Sequence, residues 1–231
     1  MKIIYQDDDI IVVNKPPGIS VHGGNSVFGE TVADMLVRQF PELAAVGDDP
    51  AHRPGIVHRL DKDTSGVMLV ARNQAAFESL KELFKNRKVE KTYWAIVCGT
   101  PRNNKGIISA PIGRLARQPL KRGVEQGRTR IRGAREAVTE YRVLKGDDAY
   151  SLVELKPKTG RMHQLRVHIK SIGHAIACDR VYGGTHVCCP AGASRQLLHA
   201  RSISFSFPEG RRLYFEADAP DDFSIAEKRI T

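Results

Sequence analysis

Hydrophobic and polar positions change period several times along this chain, and each change predicts an element. In "KIIYQDDDIIVVNKPPG" two β-branched runs flank Asp7-Asp8-Asp9, which predicts a hairpin. Pro16 and Pro17 lack the backbone donors that would prolong its second strand. In "ETVADMLVRQF", Val32, Met35, Leu36 and Phe40 fall on one helical stripe, closed by Pro41. "VMLVA", directly after Gly66, is apolar on both faces, as a buried central strand needs. "NQAAFESLKELFKNRK" predicts a helix with Asn73 as N-cap and Ala76, Phe77, Leu80, Leu83 and Phe84 inward. "KTYWAIVCG" returns to period two, with Tyr93, Ala95 and Val97 on one side and Thr92, Trp94 and Ile96 on the other.

Strands are predicted again at "AVTEYRVL" and "YSLVELKP". The segment "TGRMHQLRVHIKSIG" then reads as a helix capped by Thr159 and ended by Gly173. Met162, Leu165, Ile169 and Ile172 would face its core, with His163, Arg166 and Lys170 on the neighbouring face. "ISFSF" and "RLYFEA" predict paired strands around Pro208-Glu209-Gly210, and "DAPDDF" leads into a charged tail with no element assigned. No repeat, low-complexity tract or linker divides the chain, so a single domain over residues 1–231 is expected.

Charge narrows the partners. Lys and Arg number 36 against 26 Asp and Glu, a formal net charge of +10, which predicts attraction to a polyanion. The excess is clustered: Arg114, Arg117, Lys121, Arg122, Arg128, Arg130, Arg132 and Arg135 are relieved only by Glu125. With glycines between them, they predict a basic loop or hairpin that offers guanidinium groups to phosphates. The four cysteines show no C-x-x-C spacing, and adjacent Cys188 and Cys189 are poor partners for each other, so free thiols in a reducing compartment are expected. His186 beside Cys188 does not complete a zinc site, and no metal is expected. No signal peptide precedes the first strand and no apolar run reaches the roughly 18 residues of a membrane span, so the expected location is cytoplasmic, without membrane contact.

Dinucleotide-binding, P-loop, G-x-S-x-G and H-E-x-x-H signatures are absent. What stands out is "IVHRLDKDTSG" at residues 56 to 66. Asp63, Thr64, Ser65 and Gly66 have the residue types that build turns. Asp61, entering a buried strand, is either a structural ion pair or a catalytic carboxylate, and Arg166 is the candidate cation to keep it ionised. A glycosidase pair made of Asp61 and Asp63 is disfavoured, because such carboxylates flank the scissile bond roughly 5 to 9.5 Å apart.

"HRLDKDTSG" resembles the central motif of RNA pseudouridine synthases of the RluA type. "VVNKPPGISVH" (12–22), "KTYWAIV" (91–97), "PIGR" (111–114), "TGRMHQLRVH" (159–168), "DRVYGG" (179–184) and "LLHA" (197–200) match in the family's order. The resemblance implies an α+β fold with a mixed, largely antiparallel central β-sheet and flanking helices and loops. It implies a cofactor-free isomerase that breaks the uridine glycosidic bond, turns the base and rejoins it through C5. Asp61 would be the essential carboxylate, attacking C1′ or helping to remove the 2′ proton. Tyr93 would stack on the base and assist late proton handling, Arg166 would pair with Asp61, and Arg59 would fill the space of the flipped base. Arg114, Arg122 and Leu165 would contact substrate, with His58 and His168 as walls or packing.

Ribosomal large-subunit RNA is the expected partner, tRNA the alternative, and a non-catalytic RNA-binding or ribosome-assembly factor the reading outside enzymes. A monomer is expected. Cys178 stands where a glycine often precedes the Asp of "D-x-x-Y-G", Leu165 replaces a frequent isoleucine, and Arg72 replaces a frequent lysine. The first strand begins at once, so no N-terminal S4 module is expected in this chain.

Overall fold

The computed structural model describes residues 1–24, 29–127, 129–185, 187–207 and 209–231. The chain opens with the predicted hairpin, β1 (Lys2–Gln6) and β2 (Ile10–Lys15). Its turn closes on the Asp7 carboxylate, which accepts from the amides of Asp9 and Ile10. Helix α1 (Val32–Gln39) starts at a capping box of Thr31 and Asp34. Strand β3 (Ser65–Ala71) is buried at every position, as its unbroken apolar run requires. Helix α2 (Gln74–Lys85) begins at Asn73, whose side chain accepts from the Ala76 amide. There follow β4 (Glu90–Cys98), β5 (Lys105–Ser109), β6 (Ile112–Leu115), β7 (Gln118–Val124), β8 (Ile131–Arg135), β9 (Val138–Gly146) and β10 (Tyr150–Pro157). Helix α3 (Gln164–Ser171), β11 (Leu198–Ser206), β12 (Arg212–Glu216) and α4 (Asp221–Lys228) complete the chain.

The chain forms two compact units, Met1–Lys91 with Ala200–Ala219, and Thr92–His199 with Pro220–Thr231. In the first, the strands are ordered β1-β2-β3-β11, with β12 on β11. Ile10, Val12, Leu69, Phe77, Leu80, Ile203 and Phe205 share its core. A side chain at Gly66 would collide with the Ala200 carbonyl, so the glycine closing "DTSG" is there for strand contact. In the second unit the order is β4-β10-β9-β5, with α3 contributing Leu165 and Ile169 to a core of Ala95, Val97, Val153 and Leu155. A separate three-stranded sheet, β7-β6-β8, rests on Ile112, Ala137 and Val167. The fold is α+β with largely antiparallel sheet and flanking helices, as expected.

Several expectations change. The helix over "TGRMHQLRVHIKSIG" starts only at Gln164, because His163 has left-handed backbone (φ 57). Thr159 is not its cap: the hydroxyl donates to Gln164 Oε1 and accepts from the Val138 amide, and Met162 is exposed. The charged tail forms α4, which buries Phe223 and Ala226, with Ile230 buried just beyond it, and places Asp221 and Asp222 in the first turn, where acids complement the helix dipole. The basic stretch is a three-stranded sheet rather than a loop or simple hairpin.

The cysteines are not free thiols: Cys98 pairs with Cys188 and Cys178 with Cys189, at Cα separations of 6.1 and 4.6 Å. The neighbours at 188 and 189 avoid each other as expected, but each finds a distant partner. Arg128, His186 and Pro208 lie outside the described residues.

Candidate active site

Asp61 sits in a turn that leads into β3, and its backbone is held on both sides. Its own carbonyl accepts from the Thr64 amide at 3.1 Å. The next carbonyl, that of Lys62, accepts from the Gly18 amide at 3.0 Å and from Lys15 Nζ at 2.8 Å. Lys15 is 0% exposed, and its ammonium also donates to the carbonyls of Pro16 and Ile19 at 2.8 Å each. A buried cation is tolerated because these carbonyl dipoles replace its water. The "NKPPG" loop and the "LDKDT" turn are thereby joined through one side chain. Thr64 and Ser65 are buried, consistent with turn-building, whereas Asp61 is half-buried.

His58 supports the turn from beneath. Its Nε2 accepts from the Leu69 amide of β3 at 2.9 Å, and its ring stacks on Phe84 of α2 at 4.8 Å. Burial, with the Lys91 charge in second place, pushes its pKa down to about 3, so the ring stays neutral and keeps accepting. His58 thus packs on α2 and accepts from β3. Arg59 is exposed and donates to Nε2 of His22 at 3.0 Å, while Nδ1 of His22 donates to the Gly23 carbonyl at 2.8 Å. Burial and the Arg59 and Arg53 charges lower the His22 pKa, which favours this neutral acceptor.

In the second unit Arg166 occupies the first turns of α3 and is 6% exposed. Asp179 grips it with two hydrogen bonds, from Nε at 2.7 Å and Nη2 at 2.9 Å. The Asp179 carboxylate also accepts from the Val181 and Tyr182 amides. Burial alone would raise its pKa; the guanidinium and the two amides reverse this and hold it below the ordinary carboxylate value. The Tyr182 ring lies 5.0 Å from the Arg166 guanidinium, and its hydroxyl contacts His163 Nδ1 at 2.7 Å and the Arg122 amide at 3.1 Å. Leu165 is buried in the core, and Tyr93, half-buried on β4, lies opposite Leu155 of β10. His168 bridges the Thr139 hydroxyl and the Ala110 carbonyl, a packing role.

The basic sheet gathers arginines that are apart in sequence. Arg114 of β6 is directly opposite Arg122 on β7 and Arg132 on β8. Directly paired residues share one face, so three like charges form a row across three strands, which costs stability unless anions lie over it. Glu125 is 3.7 Å from Arg130, at the edge of this group.

Of the residues singled out from the sequence, the structure holds Asp61 and Arg59 in one segment, Arg166 and Leu165 on one helix, and Arg114 and Arg122 across one sheet. Sequence reasoning gave no role to Lys15, His22, Asp179 or Tyr182. Lys15 carried a signal, a charge between an apolar strand and a Pro-Pro pair; Asp179 and Tyr182 lay inside a recognised motif without an assigned part.

Comparison with known proteins places these features in a wider set. The RNA pseudouridylate synthase family matches residues 9–171. An uncharacterized RNA pseudouridine synthase of Synechocystis sp. is 38% identical over 211 residues, covering 90% of this chain. The chain spans 62% of that relative's length. The ribosomal large subunit pseudouridine synthase D of Nitrosomonas europaea is 37% identical over 237 residues, covering 100% of this chain and 65% of the relative. The structure of human RNA pseudouridylate synthase domain containing 1 superposes with a TM-score of 0.79 at 29% identity, covering 95% of this chain and 83% of that one.

Proposed function

The chain belongs to the RNA pseudouridylate synthase family, and we propose on that premise that it isomerises uridine to pseudouridine in structured RNA. The observation that carries this reading is the grip on the Asp61 turn, where a buried ammonium and two backbone amides hold the carbonyls of Asp61 and Lys62. A carboxylate on so constrained a backbone can be aimed at one atom.

The reaction balances without a cofactor: the bond from N1 to C1′ breaks, the bond from C5 to C1′ forms, the C5 proton leaves and N1 gains one. Asp61 supplies the essential carboxylate, either as nucleophile at C1′ or as base toward the 2′ proton. In this reading Arg166 is its charge partner, and Tyr93 stacks on the base and helps the late proton transfer. Arg59 fills the vacated place of the flipped nucleotide. Arg59 is exposed and resting on a neutral histidine, a partner it can leave at little cost. Arg114 and Arg122 bind phosphates, supported by the charge row that calls for anions. Leu165 acts through helix packing behind the substrate.

Large-subunit ribosomal RNA is the substrate we favour, supported by the name of the Nitrosomonas relative; tRNA is the second choice. We place the protein in the cytoplasm, as a monomer, where such RNA is made. Asp61→Asn should bind RNA as the parent does and release no tritium from C5-labelled uridine. Full release from that variant would refute the assignment, and RNA binding by the parent without turnover would favour a binding or assembly factor. Ribosomal RNA and tRNA offered separately distinguish the substrates.

A further inference from the structure

The two disulfides converge on consecutive residues of the loop that holds Arg166. Cys178 and Cys189 close the loop on itself, and Cys188 ties it to Cys98 at the end of β4, 90 residues earlier. Inside the loop lie Asp179 and Tyr182, the two residues that grip and cover Arg166. The loop also reaches the basic sheet: the Tyr182 hydroxyl accepts from the Arg122 amide, and the Val181 carbonyl from Lys121 Nζ at 3.4 Å. One short segment therefore positions both the buried arginine and the strand that carries Arg122.

Cys178 adds an independent observation. Its φ is 61, in the left-handed region where a glycine is at ease and a side chain is not. Its amide donates to the Cys188 carbonyl at 2.8 Å, and it is 3% exposed. A strained cysteine in a glycine's place is explained by what its sulfur does, namely bind Cys189. Cys189 is exposed, so a reductant can reach that bond.

We propose that the two disulfides form a redox latch on Arg166 and the basic sheet. Oxidised, they hold Asp179 and Tyr182 in place; reduced, they release the loop, the arginine loses its fixed partner, and Arg122 loses its backbone anchor. The reductant is a dithiol. Its thiolate attacks one sulfur of a protein disulfide, its second thiol resolves the mixed disulfide, and two electrons and two protons pass to the cysteines. Each protein disulfide consumes one dithiol, which leaves as its own disulfide. Disulfides in a reducing cytosol are characteristically transient and redox-sensing, which suits a latch better than a permanent staple.

The functional half of this inference rests on the pseudouridine reading, and the test separates the two. The full chain, purified without thiols, is alkylated and weighed before and after dithiothreitol, while amide exchange and pseudouridine formation are followed in both states. The latch requires no adduct before reduction and four afterwards, matching the four cysteines. It also requires exchange at residues 181–183 to rise about tenfold or more on reduction, and turnover to fall and then recover when a small-molecule disulfide such as oxidised glutathione re-forms the bonds. Each bond that forms passes two electrons and two protons to the added disulfide, which leaves as two thiols. The variant that removes both bonds, Cys178→Gly with Cys98→Ser, Cys188→Ser and Cys189→Ser, should lose the response to dithiothreitol, and retaining it would count against the latch. Four adducts before reduction, or equal exchange or equal turnover in two active states, overturns it. No product in either state, with the exchange difference intact, overturns the pseudouridine reading alone and supports redox control of the loop.

Discussion

Around Asp61 the restraints are backbone carbonyls gripped by a buried ammonium and by amides; around Arg166 they are side chains, an acid thirteen residues along, a tyrosine ring and two disulfides. The difference concerns what a substitution can remove. Where the backbone is held, the functional side chain can change and the turn persists. Where side chains hold one another, loss of one leaves a buried partner exposed to the full cost of its charge.

The sharpest break is Asp179→Asn. It takes from the buried Arg166 guanidinium the carboxylate that holds it with two hydrogen bonds, and should lower unfolding free energy by about 3–5 kcal/mol. Asp61→Asn should change it by less than about 1 kcal/mol. Urea denaturation of the two variants compares the regions directly, and equal losses would erase the distinction. Next comes Lys15→Met, which keeps the stem's volume but removes the donor to three carbonyls. A loss of roughly 1–3 kcal/mol is expected, with turnover falling while RNA affinity is retained, as separate binding and single-turnover assays can check.

Acid should act on the two regions in different windows. His58 has its pKa lowered to about 3, below the ordinary 6.5, so the unfolded chain binds a proton that the folded one refuses. Its contribution is intact above pH 6.5 and is lost as pH falls toward 3, at up to about 1.4 kcal/mol per pH unit. His168, also lowered by burial, adds the same sign in the second unit. The Asp179 pair is retained above the ordinary carboxylate value of 3.8 and weakens only as pH falls through its own depressed pKa. Melting curves from pH 8 to 4 should fall as pH drops below 6.5, less steeply in His58→Asn; an unchanged slope would contradict the neutral ring. The smallest structural effect belongs to Arg114→Gln, within about 0.5 kcal/mol in stability. Its signature is in binding, where the slope of log affinity against log salt should fall by about 1.

The same contrast explains what was legible in the sequence. The hairpin, α1, β3, α2 and the β9 and β10 strands follow from local period and caps, and the Asp61 turn is local too. Lys15 escaped notice because its three partners are backbone carbonyls, which every residue possesses. The start of α3 was misjudged because nothing local marks His163 as left-handed, and Thr159 spends its hydroxyl on Gln164 and Val138 instead of on the helix end. The α4 helix has two buried residues, Phe223 and Ala226, too few for the period to rise above its charges. Asp179 meets Arg166 across 13 residues and the disulfides close across 90 and 11, separations that spacing rules for closely placed cysteines do not address.

The bond between Cys98 and Cys188 also changes how the molecule comes apart. It closes a covalent ring around every peptide bond between those residues, including those of the exposed, arginine-rich sheet that a trypsin-like protease would find first. A single cut after Arg117 would divide the chain yet leave its halves joined, running as one band on a gel without reductant and as two with it. Damage to that exposed sheet would therefore stay hidden until the sulfur bridge was opened.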